Sequence, residues 1–428
     1  METIIEGVKK IEGQISVPGD KSISHRAIIL GAIAQGESNI YHFLHGEDCL
    51  NTLKCMSALG ARIEKINHAA IKIKGRGLHG LKKPIHILDA GNSGTTIRLL
   101  SGLLSGQQFN TVITGDNSLR KRPMQRVIQP LSLMGAKIKG TANKGYAPLN
   151  ITGNQLKGIT YTLPIASAQV KSALLIAGLF AGGDTIIYEP QICRDHTERM
   201  LTFMGADIQT DARKIKVTGK KALKSVEIFI PGDISSAAYF LAAASIKKGF
   251  KVLVKGVGVN PTRTGMIDIL KKMGAMIKIS NYRIKSNEPR ADITVIGDRL
   301  TGIEINKESM GKLIDELPLI AVLATQAHGK TIVSDAQELR VKETDRITAI
   351  VTELKKMGAS ITEKEDGFEI IGPTRLKNAV CDSYHDHRMA MSLTIAALCA
   401  QGKSIIKNTE CIDISYPGFF HTLKKIIK

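Results

Sequence analysis

A chain of 428 residues is longer than one hydrophobic core usually serves, so two or more domains are expected. Trp is absent and aromatics are only 4%, which argues against a single-strand nucleic-acid binder built on stacking platforms and leaves Leu, Ile, Val, Ala and Met to form the core. Lys and Arg outnumber Asp and Glu 59 to 39, a formal charge of +20, which reads either as a lysine-rich surface or as a preference for anionic partners. Cys49, Cys55, Cys193, Cys381, Cys399 and Cys411 form no CxxC pair, so neither a zinc site nor a redox motif is signalled, and scattered single cysteines fit a reducing compartment. The opening Met1-Glu2-Thr3-Ile4-Ile5-Glu6 lacks the basic and apolar regions of a signal peptide, and no apolar run approaches the ~20 residues of a membrane span. A soluble, cytoplasmic protein is expected.

In chain order, the first signal is a turn at Val17-Pro18-Gly19-Asp20, followed by a helix start at Lys21-Ser22-Ile23-Ser24-His25-Arg26. Leu59-Gly60-Ala61 then closes an amphipathic segment, because Gly after an apolar-periodic stretch ends a helix, and Arg62-Ile63-Glu64-Lys65-Ile66 alternates like a strand. A second helix start lies at residues 92–98, and a cation-rich loop at 115–123. The Gly-Ala tag returns at Met134-Gly135-Ala136. Ser167-Ala168-Gln169-Val170-Lys171-Ser172 opens the apolar segment Ala173-Leu174-Leu175-Ile176-Ala177, ahead of the tag Met204-Gly205-Ala206. Ile230-Pro231-Gly232-Asp233 echoes the opening turn after 213 residues and leads into Tyr239-Phe240-Leu241-Ala242-Ala243. Met273-Gly274-Ala275 follows, then Asp315-Glu316-Leu317-Pro318 at the head of another apolar segment. Arg340-Val341-Lys342-Glu343-Thr344-Asp345-Arg346 opens a surface helix that ends in the tag Met357-Gly358-Ala359. Asp386-His387-Arg388 precedes the apolar Leu393-Thr394-Ile395-Ala396-Ala397, and Leu423-Lys424-Lys425 echoes Leu354-Lys355-Lys356 as a sixth copy begins.

The five tag glycines are spaced 75, 70, 69 and 84 residues apart, the signature of a repeat. Each repeat reads as strand, buried helix, strand, surface helix, then one or two strands, since a helix apolar nearly all round is buried. The paired Pro-Gly-Asp turns predict a hinge at 17–22 and 230–235. One domain then takes 1–19 with 233–428, and the other takes 20–232.

Helix starts expose unpaired N–H groups and a positive dipole end, which suit phosphate. If the buried helices of each half run parallel, their starts converge, and two such surfaces across the hinge would form an anion-binding cleft. Capping alone accounts for Ser22, Thr95, Ser167 and Asp315. It does not account for Lys21, Arg26 and Arg388, cations set against the dipole, which call for a negative group to offset them. Arg120, Lys121 and Asp345 read as a solvated face. His385 and His387 lack a third ligand nearby in sequence, so no metal is expected there, and His25 reads as structural.

The strings Asp20-Lys21-Ser22-Ile23-Ser24-His25-Arg26, Arg122-Pro123, Ser167-Ala168-Gln169, Arg340-Val341-Lys342-Glu343-Thr344-Asp345-Arg346 and Asp386-His387-Arg388-Met389-Ala390 closely resemble the signatures of the EPSP synthase family of enolpyruvyl transferases. The resemblance spans essentially the whole chain. It implies an inside-out α/β architecture of two domains, each of three βαβαββ repeats. It also implies transfer of the enolpyruvyl group of phosphoenolpyruvate to the 5-hydroxyl of shikimate 3-phosphate in the shikimate pathway to aromatic amino acids. No metal or organic cofactor, no nucleic acid and no membrane are implied, and the family suggests a monomer.

By position, the family pattern puts Lys21, Ser22, Arg26, Ser167, Ala168, Gln169, Arg194, Asp315 and Lys342 on shikimate 3-phosphate. Lys21, Gly94, Arg122, Gln169, Arg346 and Arg388 fall to phosphoenolpyruvate, Asp315 and Glu343 to an acid–base pair, and Lys21 to the departing phosphate. Guanidinium groups suit both carboxylate and phosphate. Three features stand out: Ala168 replaces a common Ser, no lysine two residues before the Tyr416-Pro417 pair is present (Ile414-Ser415 stand there), and Gly94 leaves room beside the expected phosphoenolpyruvate site, so the sequence does not settle sensitivity to glyphosate, the family's inhibitor. The sister enzyme acting on UDP-N-acetylglucosamine usually carries a Cys on the loop corresponding to 115–123, and no Cys lies there. A basic nucleic-acid-binding repeat protein is the reading from another class; it would string cations along repeats rather than at segment starts.

Overall fold

The computed structural model describes residues 1–142 and 145–428. The chain divides into two compact units, one of Gly19–Ile230 with Ile284–Glu288 and the other of Met1–Pro18, Pro231–Arg283 and Pro289–Lys428. Each has its own apolar core.

The helices come in pairs, one buried and one at the surface. In the unit built on Gly19–Ile230 they are α1 (Lys21–Ala32), α2 (Glu47–Ala58), α3 (Gly94–Ser105), α4 (Gln125–Leu133), α5 (Ala168–Gly178) and α6 (His196–Phe203). In the other unit they are α7 (Ile234–Ser245), α8 (Gly265–Lys272), a short α9 (Lys307–Leu313), α10 (Leu317–Gln326), α11 (Arg346–Lys356), α12 (His387–Cys399) and α13 (Phe419–Lys424). α7 has no exposed residue, and α1, α3, α5, α10 and α12 are buried over most of their length. The paired helices bury only one face, as their amphipathic sequences require. Small sheets lie outside the buried helices, with strands such as Tyr146–Thr152 alternating buried and exposed residues. This is an inside-out α/β fold.

The Gly-Ala tags are helix C-caps. Gly60, Gly135, Gly205, Gly274 and Gly358 all have φ between +79° and +102°, a region only glycine enters without strain. In each, the alanine N–H bonds back six residues inclusively and the glycine N–H four, as in Ala61 N to Met56 O at 3.0 Å and Gly60 N to Ser57 O at 2.9 Å. These two hydrogen bonds satisfy orphan carbonyls of the last turn.

Sheet topology repeats as well. A strand before the buried helix pairs parallel with the strand after it, and the surface helix leads to two strands that extend the sheet antiparallel. Leu88–Asp89, Asn110–Thr114, Tyr146–Thr152 and Lys137–Thr141 form one such sheet. Three repeats take a strand from a distant stretch. Glu227–Phe229, at the end of its unit, runs parallel to Gln35–Tyr41. Glu12–Ser16 runs parallel to Lys251–Gly258 in the other unit. The last repeat is completed by Glu2–Glu6, antiparallel to Lys403–Lys407. Chain segments that are neighbours in sequence on either side of Pro18/Gly19 and Ile230/Pro231 thus belong to different units.

Candidate active site

In the Gly19–Ile230 unit, side chains tie the starts of α1, α3 and α5 into a ring. Asp20 caps α1, accepting from Ile23 N at 2.9 Å, and Lys21 Nζ donates to Asp48 Oδ2 at 3.0 Å. His25 Nδ1 meets Thr52 Oγ1 at 2.6 Å, and Thr52 meets Thr96 Oγ1 at 2.6 Å. Next to it on α3, Thr95 Oγ1 accepts from Gln169 Nε2 at 3.0 Å, while Arg98 donates to Gln169 Oε1 at 2.6 Å. Arg26 closes the ring. It donates to Ser172 Oγ on α5 and to Thr197 Oγ1 on α6, each at 2.6 Å, and to the Ser22 carbonyl at 2.8 Å. Burial pulls the Arg26 guanidinium down to about 10, partly countered by Glu198 and Asp20.

Arg122 lies at the rim of this ring, donating to Asn92 Oδ1 at 2.8 Å and Ser118 Oγ at 3.1 Å. A Cβ at Gly94 would stand 2.7 Å from an Arg98 nitrogen and 3.4 Å from one of Arg122, so the glycine makes room for two guanidinium groups. Ser167 caps α5 by accepting from Val170 N at 3.4 Å, and Ala168 is its first residue. Arg194 is half-buried just before α6. The structure therefore gathers Lys21, Ser22, Arg26, Gly94, Arg122, Ser167, Ala168, Gln169 and Arg194 within one unit.

The remaining candidates assemble in the other unit around Asp315, in the single turn that precedes α10. Its carboxylate lies 3.7 Å from Lys342 Nζ, 3.6 Å from Arg346 Nη1 and 3.9 Å from Arg388 Nη2. Arg346 is almost fully buried and also pairs with Glu343 at 2.5 Å and with Asp386 at 2.7 Å. Burial pulls the Arg346 guanidinium down, but Asp386 and Glu343 outweigh it and the net shift is upward. Arg388 likewise titrates above its ordinary value because Asp315 and Glu316 overcome the effect of burial. Lys342 goes the other way: burial lowers it by more than Asp315 restores. Glu316 is raised by burial against the pull of Arg388, and it accepts a short hydrogen bond from Ser235, the second residue of α7.

The negative groups that the cations at helix starts call for are supplied by the chain itself. Lys21 has Asp48, and Arg388 has Asp315 and Glu316. Arg26 has hydroxyls and a carbonyl around it, with Glu198 close enough to act on its charge. Asp345 is also more than a solvated side chain: it caps α11, accepting from Ile347 and Thr348 N at 3.1 Å, and pairs with Arg340 at 2.8 Å. Arg340 braces Glu363 and the carbonyls of Lys364 and Glu365. His387 is buried at the start of α12, while His385 is exposed, 3.8 Å from Glu410. Among the described residues no group of three or more His, Cys, Asp or Glu is placed to hold a metal.

Sequence reasoning assigned no role to Asp48, Arg98, Lys171, Glu198, Glu316 or Asp386. A charged residue inside an apolar helical run was the available signal for Arg98 and Lys171, since such a group persists in a core only when paired. Nothing local marks Asp48 as the partner of Lys21, 27 residues away.

Asp315 and Glu343 lie among Lys342, Arg346 and Arg388, on repeats of this topology. The family model described as EPSP synthase (3-phosphoshikimate 1-carboxyvinyltransferase) matches residues 5–423. The chain belongs to the EPSP synthase family. It is similar to the 3-phosphoshikimate 1-carboxyvinyltransferase of Desulforamulus reducens, with 50% identity over 427 residues and 100% of both chains covered. The protein of that name from Thermoanaerobacter sp. (strain X514) is 52% identical over 422 residues, 99% of each. Among solved structures, EPSP synthase from Acinetobacter baumannii matches with a TM-score of 0.89 at 46% identity, covering 100% of this chain and 98% of that one. The two-unit inside-out α/β fold is the family's. No helix among the described residues is long and apolar enough to cross a membrane.

Proposed function

We propose that this chain transfers the enolpyruvyl group of phosphoenolpyruvate to the 5-hydroxyl of shikimate 3-phosphate, releasing phosphate. The observation that carries the reading is the cluster of Asp315 and Glu343 among Lys342, Arg346 and Arg388. Two acid–base groups are fixed there beside cations suited to carboxylate and phosphate. Asp315 takes the hydroxyl proton as the oxygen attacks C2 of phosphoenolpyruvate. Glu343 delivers a proton to the methylene carbon, making it a methyl group. In the elimination Glu343 takes a methyl proton back, the carbon–oxygen bond to phosphate breaks, and the hydroxyl proton ends on the departing phosphate, whose charge Lys21 balances.

Arg122, Arg346 and Arg388 bind phosphoenolpyruvate, with Gly94 and Gln169 shaping that site. Ser22, Arg26, Ser167, Ala168, Gln169, Arg194 and Lys342 bind shikimate 3-phosphate together with Lys21 and Asp315. All six cysteines are free thiols, which supports a cytoplasmic setting.

The test is phosphate release from phosphoenolpyruvate with and without shikimate 3-phosphate. Release should require the shikimate compound, and release that ignored it would sink the proposal. Asp315→Asn and Glu343→Gln divide the proton steps. In deuterated water Glu343→Gln should lose isotope incorporation into the product methylene group. Normal incorporation in Glu343→Gln with none in Asp315→Asn would reverse the two roles.

A further inference from the structure

Lys171 is a cation inside an apolar helix: α5 buries every residue from Val170 to Gly178. Its ammonium meets Glu198 Oε1 at 2.5 Å, Glu189 Oε1 at 2.8 Å and the Cys193 carbonyl at 3.3 Å. An ammonium has three N–H donors, and these acceptors take all three. Burial alone would lower its affinity for a proton, but Glu198 and Glu189 raise it, so the charge is held.

The three acceptors lie in one segment. Glu189 follows the strand Asp184–Tyr188, Glu198 lies in the first turn of α6, and Cys193 sits between them, immediately before Arg194. The Cys193 thiol also points at Glu189, 2.7 Å away. Both carboxylates are buried, so neither finds a substitute partner in water. The same knot reaches Arg26, which donates to Thr197 beside Glu198 and whose charge Glu198 supports.

We infer that Lys171 is a positioning residue for shikimate 3-phosphate. It pins residues 189–198 on both sides of Arg194 and steadies the carboxylate that faces Arg26. The inference rests on the reading above, in which Arg26 and Arg194 bind that substrate. Lys171 itself touches neither reactant; it acts by fixing two guanidinium groups, where a displacement of about 1 Å is enough to cost up to ~100-fold.

Glu189→Leu is the deciding variant, because it removes one acceptor while leaving Lys171 paired with Glu198. The KM for shikimate 3-phosphate should rise about tenfold, with the KM for phosphoenolpyruvate within twofold of the unsubstituted protein. Lys171→Met should show the same split more strongly if it folds, with calorimetric binding of shikimate 3-phosphate weakened in parallel. A lowered melting temperature with both KM values unchanged would reduce Lys171 to a fold-holding residue, and an equal rise in both would mean general loosening; either overturns the inference. Phosphate release independent of the shikimate compound in the unsubstituted protein would instead remove the parent reading, and this inference with it.

Discussion

His25 shows how a residue beside the candidate site shapes stability rather than chemistry. It is fully buried, bonded through Nδ1 to Thr52, and its Nε2 has no hydrogen-bond partner among the described residues. Burial, then the charges of Lys21 and Arg26, hold its pKa well below the usual histidine value of 6.5. The folded state therefore refuses a proton that the unfolded chain accepts. Stability is fully present above about pH 6.5 and is lost as pH falls toward the folded-state value. Below about pH 6.5 the loss grows by up to about 1.4 kcal/mol per pH unit until the folded-state value is reached. Urea unfolding at pH 7.5 and 5.0 should show that the unsubstituted protein loses more between the two than His25→Gln. Equal losses would mean that other groups govern the acid limb.

At the scale of elements, the packing of α3 on α5 is set by one glycine. A Cβ at Gly102 would stand 2.1 Å from the Ala173 carbonyl oxygen, a backbone atom that cannot turn aside. Gly102→Ala must push the helices apart, and overpacking of this kind costs about 1–3 kcal/mol. Because α5 carries Gln169 and Lys171, the melting temperature should fall and the KM for shikimate 3-phosphate should rise together. An unchanged melting curve would mean the helices separate freely. The five helix ends, by contrast, were legible from sequence, since a Gly-Ala tag after an apolar stretch is a local rule that φ near +90° then obeys.

For the whole molecule, the +20 charge bears on encounter with substrates of several negative charges. Screening shortens the reach of exposed charge to about 10 Å at 0.1 M salt and ~3 Å at 1 M. Raising ionic strength from 0.02 to 0.5 M should lower kcat/KM several-fold while kcat changes little, since Arg346 and Arg388 beside Asp315 are buried and less screened. A flat kcat/KM would place the charge on solvated faces away from the approach path. The same salt series, run with DNA on a filter, separates this behaviour from nucleic-acid binding, whose affinity falls steeply with salt.

The repeat, the alternation of buried and surface helices, and the residue types at helix starts were set by local chemistry. Apolar periodicity, capping and glycine conformations act within about ten residues and can be read along the chain. Tertiary structure alone decided who partners whom. Asp48 balances Lys21, Asp386 and Glu343 share Arg346, and Glu189 with Glu198 holds Lys171. It also decided which distant strand completes which sheet, so that Glu2–Glu6 closes the repeat of Lys403–Lys407. Charges buried among apolar helices must be neutralised by whatever the fold brings near, and sequence distance carries no record of that choice.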